Sequence, residues 1–169
     1  VLESSIRENE PRLNWTTNWI FGYGSLIWRP DFAYVQRVPA TLPGYVRRFW
    51  QGSPDHRGTI ELPGRVVTLV PTEGQVCQGI AYEVSWDALS EVIDQLDIRE
   101  SGGYRRIESP IDIGRTVSAV VYVADQENPY FLGDESMKKM AEHIARSRGP
   151  SGANLHYLLR LNESLTSMG

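Results

Sequence analysis

Apolar and aromatic residues in this chain fall in short runs, most of them too short for helices. The first, Trp19-Ile20-Phe21, lies inside a strand expected over residues 18–23. Two further strands are expected at 34–42 and 45–51, rich in β-branched, small and aromatic residues and parted by Pro43-Gly44. Residues 65–70 and 76–84 repeat that plan, with Pro71 and Gly74 between them. Gly79, inside the second of these, marks a bulge or a point of close backbone approach. Helical spacing first appears over 86–96, where Leu89, Val92, Ile93 and Leu96 make one stripe. Ser85 suits the N-cap there, and Asp87 the positive end of the helix dipole. Strand patterns return over 105–113 and 116–124, with a turn at Gly114. Two helices close the chain. One covers 136–148, with Met137, Met140, Ala141 and Ile144 on a face and Gly149-Pro150 ending it. The other is capped by Ser151 and runs to about residue 165, burying Leu155, Leu158 and Leu159. Strands first and helices last point to an α+β domain: a curled sheet or small barrel flanked by helices.

The 169 residues are enough for one domain with a real core, expected over 18–169 behind a polar tail at 1–17. A net charge of −4 argues against broad binding to nucleic acid or an anionic membrane surface. A single cysteine, Cys77, rules out an internal disulfide and fits a reducing compartment, so the chain reads as cytoplasmic. No apolar run reaches membrane-spanning length.

The candidate chemistry begins where the first strand breaks into Gly22-Tyr23-Gly24-Ser25-Leu26-Ile27. Two glycines one residue apart let backbone amides approach a ligand, although a tight turn with no ligand explains them equally well. The dinucleotide fingerprint fails because Ile27 stands where its third glycine belongs. No lysine follows at P-loop spacing, and Tyr23 and Ile27 replace the glycines of a nucleophile elbow. His56, His143 and His156 have no metal-ligand spacing, and Cys77 has no neighbouring base in sequence. His56 lies in the longest loop signal, 52–64, which reads as a lid or binding loop and also carries Asp55, Arg57 and Glu61. Glu100 leaves a helix C-terminus, where an acid opposes the dipole, and precedes Ser101-Gly102-Gly103. It is either a functional acid placed against local preference or a solvated loop carboxylate. Trp50, Tyr104 and Tyr157 read as core or as pocket lining.

Five ordered stretches together resemble the ChaC family of glutathione-specific γ-glutamylcyclotransferases. They are Phe21-Gly22-Tyr23-Gly24-Ser25-Leu26-Ile27-Trp28-Arg29-Pro30-Asp31-Phe32, Arg48-Phe49-Trp50-Gln51-Gly52, Pro63-Gly64-Arg65-Val66-Val67-Thr68-Leu69, Arg99-Glu100 before Gly102-Gly103-Tyr104, and Arg148-Gly149 followed by Ser151-Gly152, Asn154 and Tyr157-Leu158. The resemblance implies a cyclotransferase-type mixed β-barrel with flanking helices. It implies cleavage of glutathione to 5-oxoproline and Cys-Gly, a lyase-type reaction without cofactor or metal. It implies Glu100 as the catalytic acid–base, and γ-glutamyl binding by Gly22, Tyr23, Gly24, Ser25, Leu26, Ile27 and Tyr157. The 52–64 loop would border the pocket. Other γ-glutamyl amino acids or amines remain alternative substrates, and a non-catalytic γ-glutamyl-binding module remains an alternative on the same fold.

Overall fold

The structure, a computed structural model, describes residues 15–169. Five strands close into a barrel in the order β1-β3-β2-β4-β5. They are β1 (Trp19–Gly22), β2 (Gln36–Ser53), β3 (Gly64–Glu83), β4 (Arg105–Asp112) and β5 (Thr116–Val123). β1 and β5 pair in parallel through Ile20 and Val120; the other pairings are antiparallel. The α+β barrel expected from the order of elements is therefore present.

Two expected breaks are bends. The pairs at 34–42/45–51 and 65–70/76–84 are single long strands, β2 and β3, in one ladder. Pro43 pairs with Val76 and Tyr45 with Pro71, so the break signals of the two strands face each other across a register slip. Gly44 and Gly74 supply its positive φ values, 82° and 76°. Gly79 does mark a close approach: a Cβ there would collide with the Gly22 carbonyl and with the Phe21 ring at 2.7 Å.

The barrel interior holds Phe21, Leu42, Leu69, Ile80, Tyr82, Ile111 and Val121, none more than 2% exposed. Cys77 of β3 is free and buried among them, and burial pushes its thiol up. A second cluster lies outside β1 and β5, where helix α1 (Leu89–Arg99) packs Leu89, Val92, Ile93 and Leu96 onto Ile20 and Val120. This is the predicted stripe. The helix starts three residues later than expected, with Ala88 at the N-cap, and Trp86 is exposed. Ser85 contributes its backbone carbonyl to the Ala88 amide instead of a side-chain cap.

Helix α2 (Met137–Arg146) has Ser136 as N-cap, its hydroxyl accepting from the Lys139 amide. Of its expected apolar face only Ile144 is buried; Met137 and Ala141 are exposed. A short ribbon, β6 (Arg148–Gly149) with β7 (Gly152–Ala153), leads into α3 (Asn154–Met168). Ala153, not Ser151, is the α3 N-cap. The buried face of α3 is Asn154, Tyr157 and Leu161, while Leu155 and Leu159 are exposed. Asn154 explains that rotation. Its carbonyl accepts from the Arg65 amide at 2.7 Å and its amide donates to the Arg65 carbonyl at 2.8 Å. A fully buried side-chain amide paired twice with one backbone residue leaves the helix a single orientation.

Of the tail expected over 1–17, residues 1–14 lie outside the described residues. Trp15 and Thr17 join the domain: Thr17 is buried and donates to the Ser118 carbonyl at 2.6 Å, and Trp15 packs under the Arg106 guanidinium at 4.7 Å.

Candidate active site

The chain leaves β1 at Gly22 and tightens into a 3-10 turn, Ser25–Ile27. Its internal bond runs from the Ile27 amide to the Gly24 carbonyl at 3.0 Å, so the amides ahead of Ile27 lie at the open end of the turn. Both glycines are needed for space. A Cβ on Gly22 would come within 2.7 Å of Leu26, and one on Gly24 within 3.0 Å of the Tyr157 hydroxyl and Val67. Tyrosine hydroxyls tie the turn down. Tyr23 donates to the Tyr122 carbonyl at 2.6 Å, and Tyr82 to the Leu26 carbonyl at 2.6 Å. Arg47 holds the Tyr23 carbonyl at 2.7 Å.

Glu100 ends α1, its amide bonded to the Leu96 carbonyl at 2.8 Å. The chain then reverses through Gly102 and Gly103, where φ is 102°. Gly103 has no room for a side chain because the Gln51 and Asn128 amides pack against it. Gln51 is fully buried, donates to the Gly102 carbonyl at 3.0 Å and exchanges two hydrogen bonds with Asn128. This buried pair fixes the turn that carries Glu100.

Two adjoining hollows meet at Glu100. The inner one, about 40 Å³, lies between Tyr23, Gly24, Ser25, Leu26, Val67, Tyr104 and Tyr157. The outer one, about 160 Å³, is bordered by Ser25, Trp28, Arg57, Arg99 and the segment Gly52, Ser53, Asp55, His56. Six of the eight expected site residues, Tyr23, Gly24, Ser25, Leu26, Glu100 and Tyr157, are therefore brought together. Gly22 and Ile27 line neither hollow. Gly22 ends β1, and the Ile27 carbonyl accepts from Arg37 at 3.1 Å, so these two shape the turn from behind. Tyr104 also belongs to the lining; Trp50 does not.

The Glu100 side chain is only 17% exposed. Burial raises its pKa from 4.5 to about 7; Arg99 pulls it down and Asp55 pushes it up. Arg99 sits with Nε 3.7 Å from the Glu100 carboxylate and donates to the Ser25 hydroxyl at 2.9 Å and the Arg29 carbonyl at 2.7 Å. One guanidinium thus links the acid to the glycine turn. The Tyr157 hydroxyl accepts from the Val67 amide at 3.2 Å, which leaves its own proton to donate. Burial holds that phenol well above its ordinary range, so it stays protonated.

The 52–64 segment borders the outer hollow as expected, but it is no free lid. Gly52 and Ser53 belong to β2, Gly64 begins β3, and residues 54–63 are pinned to the β6–β7 ribbon. The Ser151 amide donates to the His56 carbonyl at 2.9 Å, and a Cβ on Gly149 would collide with the backbone of His56 and Gly58. His56 Nδ1 meets the Ser151 hydroxyl at 3.1 Å. His143, on α2, bonds the Pro63 carbonyl at 2.6 Å, away from the hollows. Among the described residues, no three His, Cys, Asp or Glu side chains are grouped to hold a metal ion.

The family model described as ChaC-like protein matches residues 18–169. The chain belongs to the ChaC family. Its relatives include glutathione-specific gamma-glutamylcyclotransferase 1 of Homo sapiens, 44% identical over 157 residues that cover 89% of this chain and 71% of that protein. The Danio rerio protein of the same name is 43% identical over 153 residues, covering 86% of this chain and 77% of that protein. A crystal structure of a γ-glutamyl cyclotransferase specific to glutathione from yeast superposes with a TM-score of 0.84 at 32% identity, covering 88% of this chain and 86% of that one. Within this ChaC-family chain, sequence reasoning did not single out Ser53, Asp55, Arg57 and Arg99 as site residues. Their one signal was position: three lie in or beside the 52–64 loop, and Arg99 adjoins Glu100.

Proposed function

We propose that this ChaC-family chain cleaves glutathione by intramolecular aminolysis, releasing 5-oxoproline and Cys-Gly. The observation that carries the reading is a nearly buried Glu100 carboxyl, with its pKa raised to about 7, beside the Gly22–Ser25 turn. The substrate's α-ammonium, with an ordinary pKa near 7.7–8.0, must lose a proton before it can attack. A carboxylate of pKa about 7 is well matched to take it, where an ordinary glutamate is not. The freed amine attacks the γ-carbonyl carbon, closing a five-membered lactam. As the bond to the cysteinyl nitrogen breaks, Glu100 gives its proton to that leaving amine, and the second proton of the attacking nitrogen passes through the same carboxylate to leave a lactam N–H and a Cys-Gly ammonium. No water enters, and the substrate supplies the nucleophile, so the missing serine and cysteine motifs are no obstacle.

In this reading the inner hollow takes the folded γ-glutamyl group. Amides of the Gly24–Leu26 segment and the Tyr157 hydroxyl face the α-carboxylate or the developing oxyanion. Holding amine and carbonyl together supplies an effective concentration of roughly 10⁵–10⁸ M. Gly22 and Ile27 act by shaping the turn. No helix among the described residues is long and apolar enough to cross a membrane. The free, buried Cys77 supports a cytoplasmic setting.

The test is incubation with glutathione in excess chelator, followed by detection of 5-oxoproline and Cys-Gly. Glutathione recovered intact after prolonged incubation with folded protein would overturn the reading. Turnover of γ-glutamyl-alanine equal to that of glutathione would move the substrate to γ-glutamyl amino acids in general.

A further inference from the structure

The outer hollow holds a cation that no carboxylate among the described residues neutralises. Arg29 pairs with Asp31 at 2.7 Å, and Arg99 pairs with Glu100 and Asp31. Arg57 has no acidic partner within 4.0 Å among the described residues. Its Nη1 donates to the Ala153 carbonyl at 3.2 Å, and its guanidinium lies 5.8 Å from the centre of the Tyr157 ring. Those contacts fix the side chain and leave most of its five donors unmatched at the rim. Burial lowers its pKa, with the Tyr157 phenol pulling it up and Arg29 pushing it further down. A fixed, half-buried guanidinium in a ligand-sized hollow is a site for a planar anion.

Its position selects which anion. The cation in contact with Glu100 is Arg99, at 3.7 Å, and no salt bridge joins Glu100 to Arg57. Glu100 and Tyr157 line both hollows, whereas Arg57 lines only the outer one. Glu100 therefore stands where the two hollows meet, and Arg57 stands on the outer side, away from the inner hollow. A γ-glutamyl tripeptide carries its α-ammonium at one end and a glycyl carboxylate at the other.

We propose that Arg57 binds the glycyl carboxylate of glutathione and sets the preference for the full tripeptide. This rests on the function proposed above for the same cavity. It assigns Arg57 to substrate length and charge rather than to bond making, which happens at the Glu100 end.

The test compares glutathione with its glycinamide, which keeps every atom but replaces the terminal carboxylate by a neutral amide. Dissociation constants are measured by calorimetry in a Glu100→Gln background, so that neither peptide is consumed. Turnover is measured with Glu100 present. The chain with Arg57 should prefer glutathione by roughly ten- to a hundredfold, the range expected for charge-assisted hydrogen bonds. Arg57→Gln should bring the ratio close to one, and Arg57→Lys should restore part of it. Equal weakening of both peptides by Arg57→Gln would overturn the assignment, since a structural role or a contact with the γ-glutamyl end predicts that. So would an unchanged preference. If the affinity ratio behaves as expected while no 5-oxoproline forms, Arg57 stands and the catalytic reading falls. If neither peptide binds, both fall.

Discussion

The cavity has two walls, built by opposite means. On the Glu100 side, side chains do the fixing: Arg99 touches the acid, the Ser25 hydroxyl and two backbone carbonyls, and the Gln51–Asn128 pair locks the turn behind it. On the Arg57 side, backbone does the fixing: Gly58, Gly64 and Gly149 bring three chain segments into contact that no side chain could permit. The first wall holds a charge that must change its protonation state, so its neighbours are polar and tune it. The second holds a charge that must stay constant, so a rigid backbone frame with few polar partners is enough.

The sharpest way to break this contrast is Glu100→Gln. On the first wall it removes the proton acceptor, and kcat should fall by roughly 10²–10⁴-fold with the fold intact, checked by 5-oxoproline release and circular dichroism. Substantial residual turnover would remove Glu100 from the chemistry.

The same residue should shape stability. Its folded pKa of about 7 lies above its unfolded value near 4.5, so its contribution is fully favourable below about pH 4.5 and fades as pH rises through about 7. Above that, charged Glu100 should weaken the unliganded protein by an amount of order 3 kcal/mol. Denaturant titrations from pH 5 to 8 should show this decline, and Glu100→Gln should flatten it. A wild-type profile no steeper than the variant's would contradict the burial argument.

The second wall is best probed by Gly149→Ala. The new methyl meets the backbone of His56 and Gly58, which cannot move aside as a side chain can, so a loss of about 1–3 kcal/mol is expected as a lowered Tm. The pH dependence of the remaining activity should be unchanged. The smallest effect is expected from Arg99→Gln. Arg99 holds the Glu100 pKa down, so its loss should move the acidic limb of the kcat/KM profile to higher pH, at unchanged shape. A limb that stays in place, or moves to lower pH, would mean that Arg99 only anchors the turn.

Much of this was legible before any coordinates. Alternation and β-branched runs located all five barrel strands, and the α1 stripe matched its buried residues. The glycine turn and Glu100 were legible because each breaks a local rule: two glycines at a strand end, an acid at the wrong end of a helix. What was lost depends on tertiary partners. Pro43-Gly44 and Pro71–Gly74 read as strand ends because no local pattern shows that two break signals will face each other and bend one ladder. The α3 face was misjudged because three leucines looked apolar enough to decide it, whereas the two bonds of Asn154 to Arg65 did. Arg57 was visible only as one charge in a loop. That it has no counterion among the described residues is a property of everything packed around it.

One consequence concerns sulfur. The proposed substrate is a thiol peptide, able to exchange with accessible disulfides and cysteines alike. The sole cysteine of this chain is sealed between barrel strands, 3% exposed, with its proton held more tightly than in water. While folded, the protein should resist S-glutathionylation by its own substrate and keep working as the redox balance around it swings.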